Sequence, residues 1–160
     1  ATRFAVKPER MLDREYALRF LSFTELDYEK EYKGNIDSFL IKGLKKANTF
    51  DEKDCVRVNR RFVRVMVACK AIFWIYAFRK YNRDFRRGPI NKAIFEIWAI
   101  CFGELSNKQL KSIEMNKDEF LCQFGQLLED QDFAVALKAG DRYSFVKRIE
   151  MSRDLIEEFL

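Results

Sequence analysis

The sequence predicts an all-α fold: a single multi-helix bundle of about seven or eight helices around a long central helix. Three observations carry this. Gly and Pro number only 6 and 2 in 160 residues, too few for the turns of an all-β domain. Apolar residues recur at steps of three and four along most of the chain, and no segment reads as a convincing strand. With 48% hydrophobic and 34% charged residues the chain is too apolar for disorder, and 160 residues suit one domain with one core.

The first helix is expected over residues 11–26. Leu12, Tyr16, Phe20 and Phe23 step by three and four, and Asp13 and Glu15 sit where the helix dipole favours acids. Residues 28–34 read as a polar loop. Asn35 is placed to cap a second helix with Ile36, Phe39, Leu40, Ile41 and Leu44 inward, and Lys45 and Lys46 suit its C-terminal end. A long third helix is expected over residues 51–81. Val58, Phe62, Val65, Cys69, Ile72 and Tyr76 form one continuous seam. The second half of this helix is apolar nearly all round, which puts it at the centre of the domain. Residues 82–88 form a basic connector, and Pro89 fits the first turn of a fourth helix. Its buried face is Ile90, Ile94, Ile97, Trp98 and Cys101, with an end near Gly103.

Ser106 and Gln109 have the spacing of a capping box and open a short helix to about residue 115. The next begins near Lys117, with Phe120, Leu121, Phe124 and Leu127 or Leu128 inward. Asp132 is placed to cap a helix carrying Phe133, Val135, Ala136 and Leu137, stopped by Gly140. Asp141 caps the last, with Phe145, Val146, Ile149, Leu155 and Phe159 on one face.

The chemistry the chain excludes is as informative. It has no His, so the usual base of Ser and Cys triads is missing, as are the ligands of HNH and H-E-x-x-H metal sites. Neither common glycine-rich phosphate loop is present. Cys55, Cys69, Cys101 and Cys122 form no close pair; three fall on apolar helix faces, and the reading is buried free thiols of a reducing cytoplasm. Neighbouring acids such as Asp13 and Glu15, or Glu129 and Asp130, point to different helix faces and read as capping or solvated groups. No catalytic residue, metal site or cofactor is assigned to this chain. The longest apolar stretch, residues 65–78, contains Lys70 and is shorter than the roughly 20 residues that cross a bilayer, so no membrane partner is expected.

Charge is distributed unevenly. Residues 57–92 hold eleven basic residues and one acid, Asp84, whereas the rest of the chain is net acidic. Arg57, Arg60, Arg61 and Arg64 lie along the long helix. Arg79, Lys80, Arg83, Arg86 and Arg87 cluster at its expected end, and Lys92 follows. One reading is a phosphate-binding face for nucleic acid or nucleotide, with arginine suited to bidentate contacts and Tyr81 and Phe85 available to stack on bases. The others are a solvated face that pairs with the acidic remainder, or arginines that serve a helix dipole.

Four ordered patterns add a family resemblance. Residues 10–20 read R-x-x-D-R-E-x-x-L-R-F, and residues 32–40 read Y-x-G-x-I-D-x-F-L. Residues 85–95 contain R-x-P-I-N-K-A-I-F, and Phe133, Ala136, Gly140, Asp141, Val146 and Arg148 close the series. This set resembles the helical half of GmrSD-like restriction endonucleases and spans nearly the whole chain. Such proteins act in bacterial or archaeal defence, where a preceding ParB-like domain with D-G-Q-Q-R uses a nucleoside triphosphate and a separate HNH half cuts DNA. Neither signature occurs here. The resemblance therefore implies a fragment of a longer, cytoplasmic protein: residues 1–160 as one helical lobe, partnered by a ParB-like domain and DNA. Arg10, Asp13, Arg14, Arg19, Arg87, Pro89, Asn91 and Lys92 fall on its motifs. Their charges either orient the partner domain or bind phosphates, or they form buried ion pairs that fix helix packing. The alternative function is a non-enzymatic interaction module whose basic face docks an acidic protein.

Overall fold

A computed structural model describes residue 6, residues 11–82 and residues 84–160. Arg10 and Arg83 lie outside the described residues. The described chain forms nine α-helices and one small antiparallel hairpin. The helices are α1 (Leu12–Glu25), α2 (Tyr28–Glu31), α3 (Ile36–Ala47), α4 (Glu52–Phe73), α5 (Lys92–Glu104), α6 (Asn107–Met115), α7 (Lys117–Glu129), α8 (Gln131–Ala136) and α9 (Arg142–Glu157). The all-α class is borne out.

Local sequence sets most helix starts. The side chains of Asn35, Asp51, Asn91, Asp130 and Asp141 each accept a hydrogen bond from a first-turn amide. Ser106 and Gln109 make the full reciprocal capping box. The cap of α8 is Asp130 and not Asp132, which leaves Asp132 to pair with Lys147 at 2.6 Å. Residues 28–31, expected as loop, make one helical turn capped by Asp27.

The largest departure lies after α4. The long helix stops at Phe73, where Trp74 turns to φ 47°, and a 3₁₀ turn Trp74–Tyr76 follows. Strands β1 (Arg79–Tyr81) and β2 (Arg87–Ile90) then pair antiparallel, with Arg79 opposite Ile90 and Tyr81 opposite Arg87. Residues 72–76 are all aromatic or β-branched, which favours extended backbone over helix. Asn82 makes the turn: Arg86 N donates to its Oδ1 at 2.8 Å, and Phe85 N donates to its carbonyl at 2.8 Å. Pro89 sits in β2, not in a helix, because a two-stranded ribbon has free edges that do not need its missing N–H. Ile90 accordingly belongs to the strand, and α5 begins at Lys92.

Burial is deepest in α5. Residues 94–103 are all buried, and α1, α4 and α9 pack around them. Trp98, with no exposed surface, meets Phe73, Phe102, Phe120 and Phe124 at ring separations of 4.8–5.8 Å. Helix α4 instead lies on the outside of the bundle. Val65, Cys69, Ile72 and Phe73 face inward, while Val63 and Val67 on its far side are exposed. Helices α1 and α3 cross closely at Gly43, where a Cβ would come within 1.9 Å of Ser22 Oγ. No helix among the described residues is long and apolar enough to cross a membrane.

Candidate nucleic-acid interface

The basic residues from 57 to 92 do not form one face. Arg57, Arg61 and Arg64 are bound within the fold, Lys92 joins an ionic network built on Arg19, Glu96 and Arg148, and Arg79, Lys80, Arg86 and Arg87 lie on the hairpin.

The first group lies on α4 and is consumed by the fold. Arg61 donates to Thr24 O at 2.8 Å and to Gly103 O at 3.2 Å, and Arg64 donates to Gly103 O and to Leu105 O. These carbonyls belong to the last turns of α1 and α5 or follow them directly. Helix ends leave such carbonyls without intrahelical partners, and a guanidinium there also suits the negative end of the dipole. Arg57 donates to both carboxylate oxygens of Glu25, at 3.0 and 2.7 Å, and to Asp54 at 3.1 Å. These hydrogen bonds raise the pKa of its guanidinium. Of the stripe, only Arg60 is exposed with no hydrogen bond or ion pair among the described residues.

The second group is buried ionic chemistry. Glu96 is 4% exposed and lies between two guanidiniums: Arg19, which donates to Oε1, and Arg148, which donates to Oε2 at 2.8 Å. Arg148 also caps the α8 end through Ala136 O and Ala139 O, both at 3.1 Å. Arg19 reaches Glu15 at 2.7 Å, and Glu15 in turn accepts from Lys92 Nζ at 2.7 and 2.9 Å. The network ties α1, α5 and α9 together. Burial pushes the Glu96 carboxyl above its ordinary value, against the charges of and hydrogen bonds from Arg148 and Arg19. Burial also acts to raise Glu15, but hydrogen bonds and charge from Lys92 and Arg19 outweigh it and hold that carboxyl below its usual range.

Two family-motif residues, Arg19 and Lys92, therefore serve helix packing, as does Arg148. Asn91 caps α5 by accepting from Ile94 N at 3.1 Å. Asp13 and Arg14 are exposed on α1. Glu96 was missed in the sequence reading, yet it left a signal: it is the one charged residue in the apolar run 94–103.

The third group is the hairpin. Arg79, Lys80, Arg86 and Arg87 lie on two short paired strands and the turn joining them, and none makes an ion pair among the described residues. Arg79 donates to Gly88 O at 2.7 Å, which stiffens the ribbon but leaves its charge uncompensated. Burial and the Arg87 charge lower the Arg79 pKa; burial and the Lys138 charge lower that of Lys80. The like charges of Arg79 and Arg87 thus repel, as do those of Lys80 and Lys138. Phe85, at φ 55° and 46% exposed, stands at the turn with its ring stacked on Tyr81 at 5.8 Å and 10°. Tyr81 itself is not available to a base, because it is buried and its hydroxyl donates to Leu121 O at 2.6 Å. An open cleft lined by Ala71, Trp74, Tyr76, Phe85, Lys117 and Leu121 runs beside it.

The described residues contain no cluster of three potential metal ligands. Cys69 and Cys101 are buried, and burial pushes the Cys101 thiol up to about 12, which keeps it from acting as a thiolate. Cys55 and Cys122 are exposed, so two cysteines rather than the expected three lie on buried apolar helix faces. Comparison with protein-family models, with curated proteins and with solved structures finds no match to this chain.

Proposed function

We propose that this chain is the helical lobe of a GmrSD-like, nucleotide-dependent DNA restriction or phage-defence protein, and that its hairpin contacts phosphates. One observation carries the phosphate reading: Arg79, Lys80, Arg86 and Arg87 share a short ribbon and make no ion pair among the described residues, while most of the other described arginines are spent on the protein's own carbonyls and acids. Such a cluster attracts phosphate, and counter-ion release then contributes affinity. An exposed aromatic at the turn adds a surface on which a base can stack. The family assignment itself rests on the four ordered sequence motifs, and the nucleotide would be held with a ParB-like domain.

The cations touch backbone rather than base edges in this reading, so binding is indifferent to sequence. Fluorescently labelled duplex DNA titrated with the protein should bind at low salt and weaken steeply as salt rises. Arg86→Ala combined with Arg87→Ala should lower the affinity for every duplex by at least tenfold and flatten the salt dependence. Absence of binding at low salt, or an unchanged affinity in the double variant, would remove the hairpin from this role.

A further inference from the structure

The exposed side of α4 carries a second seam that the core does not use. Val56, Arg60, Val63, Val67 and Lys70 follow one another at steps of four, three, four and three. At 3.6 residues per turn these positions fall within an arc of roughly 80°, opposite the inward-facing Val65, Cys69 and Ile72. Val56, Val63 and Val67 are 42%, 50% and 60% exposed. A helix in a monomeric bundle ordinarily turns charge or amide toward water, and this one turns three valines. β-branched residues also lower helix propensity slightly, so solvent exposure gives them no local advantage.

The repeat is that of a coiled-coil seam, in which alternating steps of three and four keep one stripe against a partner helix. Charge decides which partner. Arg60 and Lys70 lie in the stripe, Lys53 lies beside it, and none of the three makes a hydrogen bond or ion pair among the described residues. The groove at the N-terminal end is lined by Glu52, Lys53, Val56, Arg57 and Arg60, and Arg57 is already held by Glu25 and Asp54. A second copy of this chain would bring the same surplus of cations to the contact, with Glu52 the lone acid in that groove. An acidic amphipathic helix removes both defects at once: its apolar stripe covers the valines, and its flanking carboxylates pair with Arg60, Lys70 and Lys53.

We infer that α4 docks an acidic amphipathic helix of a partner protein along Val56, Val63 and Val67. This surface is separate from the hairpin, and it holds whether or not the hairpin binds phosphate. The probe is a synthetic 21-residue helix with Leu at the seam positions and Glu on both flanks, labelled with fluorescein; its anisotropy is followed as the protein is added. Binding in the micromolar range is expected. A matched peptide with Lys on the flanks should bind at least tenfold more weakly. Val63→Asp with Val67→Asp should abolish binding of the acidic peptide; both sites are exposed, so the helical circular dichroism stays as in the parent. Arg60→Glu with Lys70→Glu should reverse the preference toward the Lys-flanked peptide.

Equal affinity for the two peptides, or binding that survives Val63→Asp with Val67→Asp, would overturn the proposal. So would a dimer in sedimentation velocity that the valine variant dissolves, since the seam would then belong to a second copy. The valine variant should bind duplex DNA as the parent does, which keeps failure here distinct from failure of the hairpin reading.

Discussion

Two stretches of the chain carry arginines at similar density and use them in opposite ways. On α4, Arg57, Arg61 and Arg64 point at helix ends and carboxylates of their own domain. On the hairpin, Arg79, Lys80, Arg86 and Arg87 make no ion pair among the described residues, although Asp84 lies in the turn. The difference teaches that a basic window in a sequence is not a binding face until the protein's own acceptors have been subtracted. A helix C-terminus presents several free carbonyls, and the forks of Arg61 and Arg64 occupy three of them at two such ends, while Arg57 is taken by two carboxylates. The buried Arg19–Glu96–Arg148 set is the extreme of the same use, because every charge in it is directed inward.

The strongest way to break this comparison is at the buried set. Glu96→Ala leaves two guanidiniums facing each other in the core, and loss of one partner of a buried ion pair costs about 3–5 kcal/mol. Urea denaturation should show the unfolding free energy fall by that amount. A stability near that of the parent would mean that Arg19 and Arg148 find other acceptors. Next in size, Arg64→Ala exposes the α5 carbonyls at Gly103 and Leu105 to a poorly solvated site, at roughly 1–3 kcal/mol. Its DNA affinity should match the parent's, and a loss there would return α4 to the phosphate-binding surface.

Acid titration sharpens the inward side further. Glu15 has a lowered carboxyl pKa in the fold, so its contribution is present above the ordinary Glu range and is lost as pH falls through the lowered value. Glu96 has a raised one, so lowering the pH through its folded value relieves the cost of a buried charge. Thermal melts of Glu15→Gln should therefore be lower than the parent's near neutrality and converge on it in acid. Persistent separation below the carboxylate range would show that Glu15 acts through packing and not charge. The smallest effect belongs to the hairpin: Arg87 makes only a long, exposed hydrogen bond to Ile75 O at 3.5 Å, so Arg86→Ala with Arg87→Ala should change stability by no more than about 0.5 kcal/mol, as for exposed surface residues. A larger loss would place those cations with the structural arginines of α4.

The helices themselves were largely legible in the sequence. Caps at Asn35, Asp141 and the Ser106–Gln109 pair act over three residues, so spacing alone reveals them. The end of α4 was not legible, since residues 70–81 contain neither Gly nor Pro to mark a break. What ends the helix is Trp74 turning to positive φ and the pairing of β1 with β2, a contact between residues six to eleven apart. Pro89 then changes from a helix starter to a strand residue for the same reason.

By itself, the sequence determined the all-α class, most helix boundaries, the absence of His chemistry and the concentration of basic residues between 57 and 92. These depend on local backbone physics and on counting. Only the tertiary structure decided which charges are spent. Arg61 and Arg64 reach carbonyls about forty residues away, and Glu96 meets Arg19 and Arg148 across 77 and 52 residues. It also decided that α5 and not α4 is the most enclosed helix, because a continuous apolar run says that a helix can be buried without saying how many neighbours will cover it. No periodicity encodes such long-range pairings; they exist only once the bundle has closed.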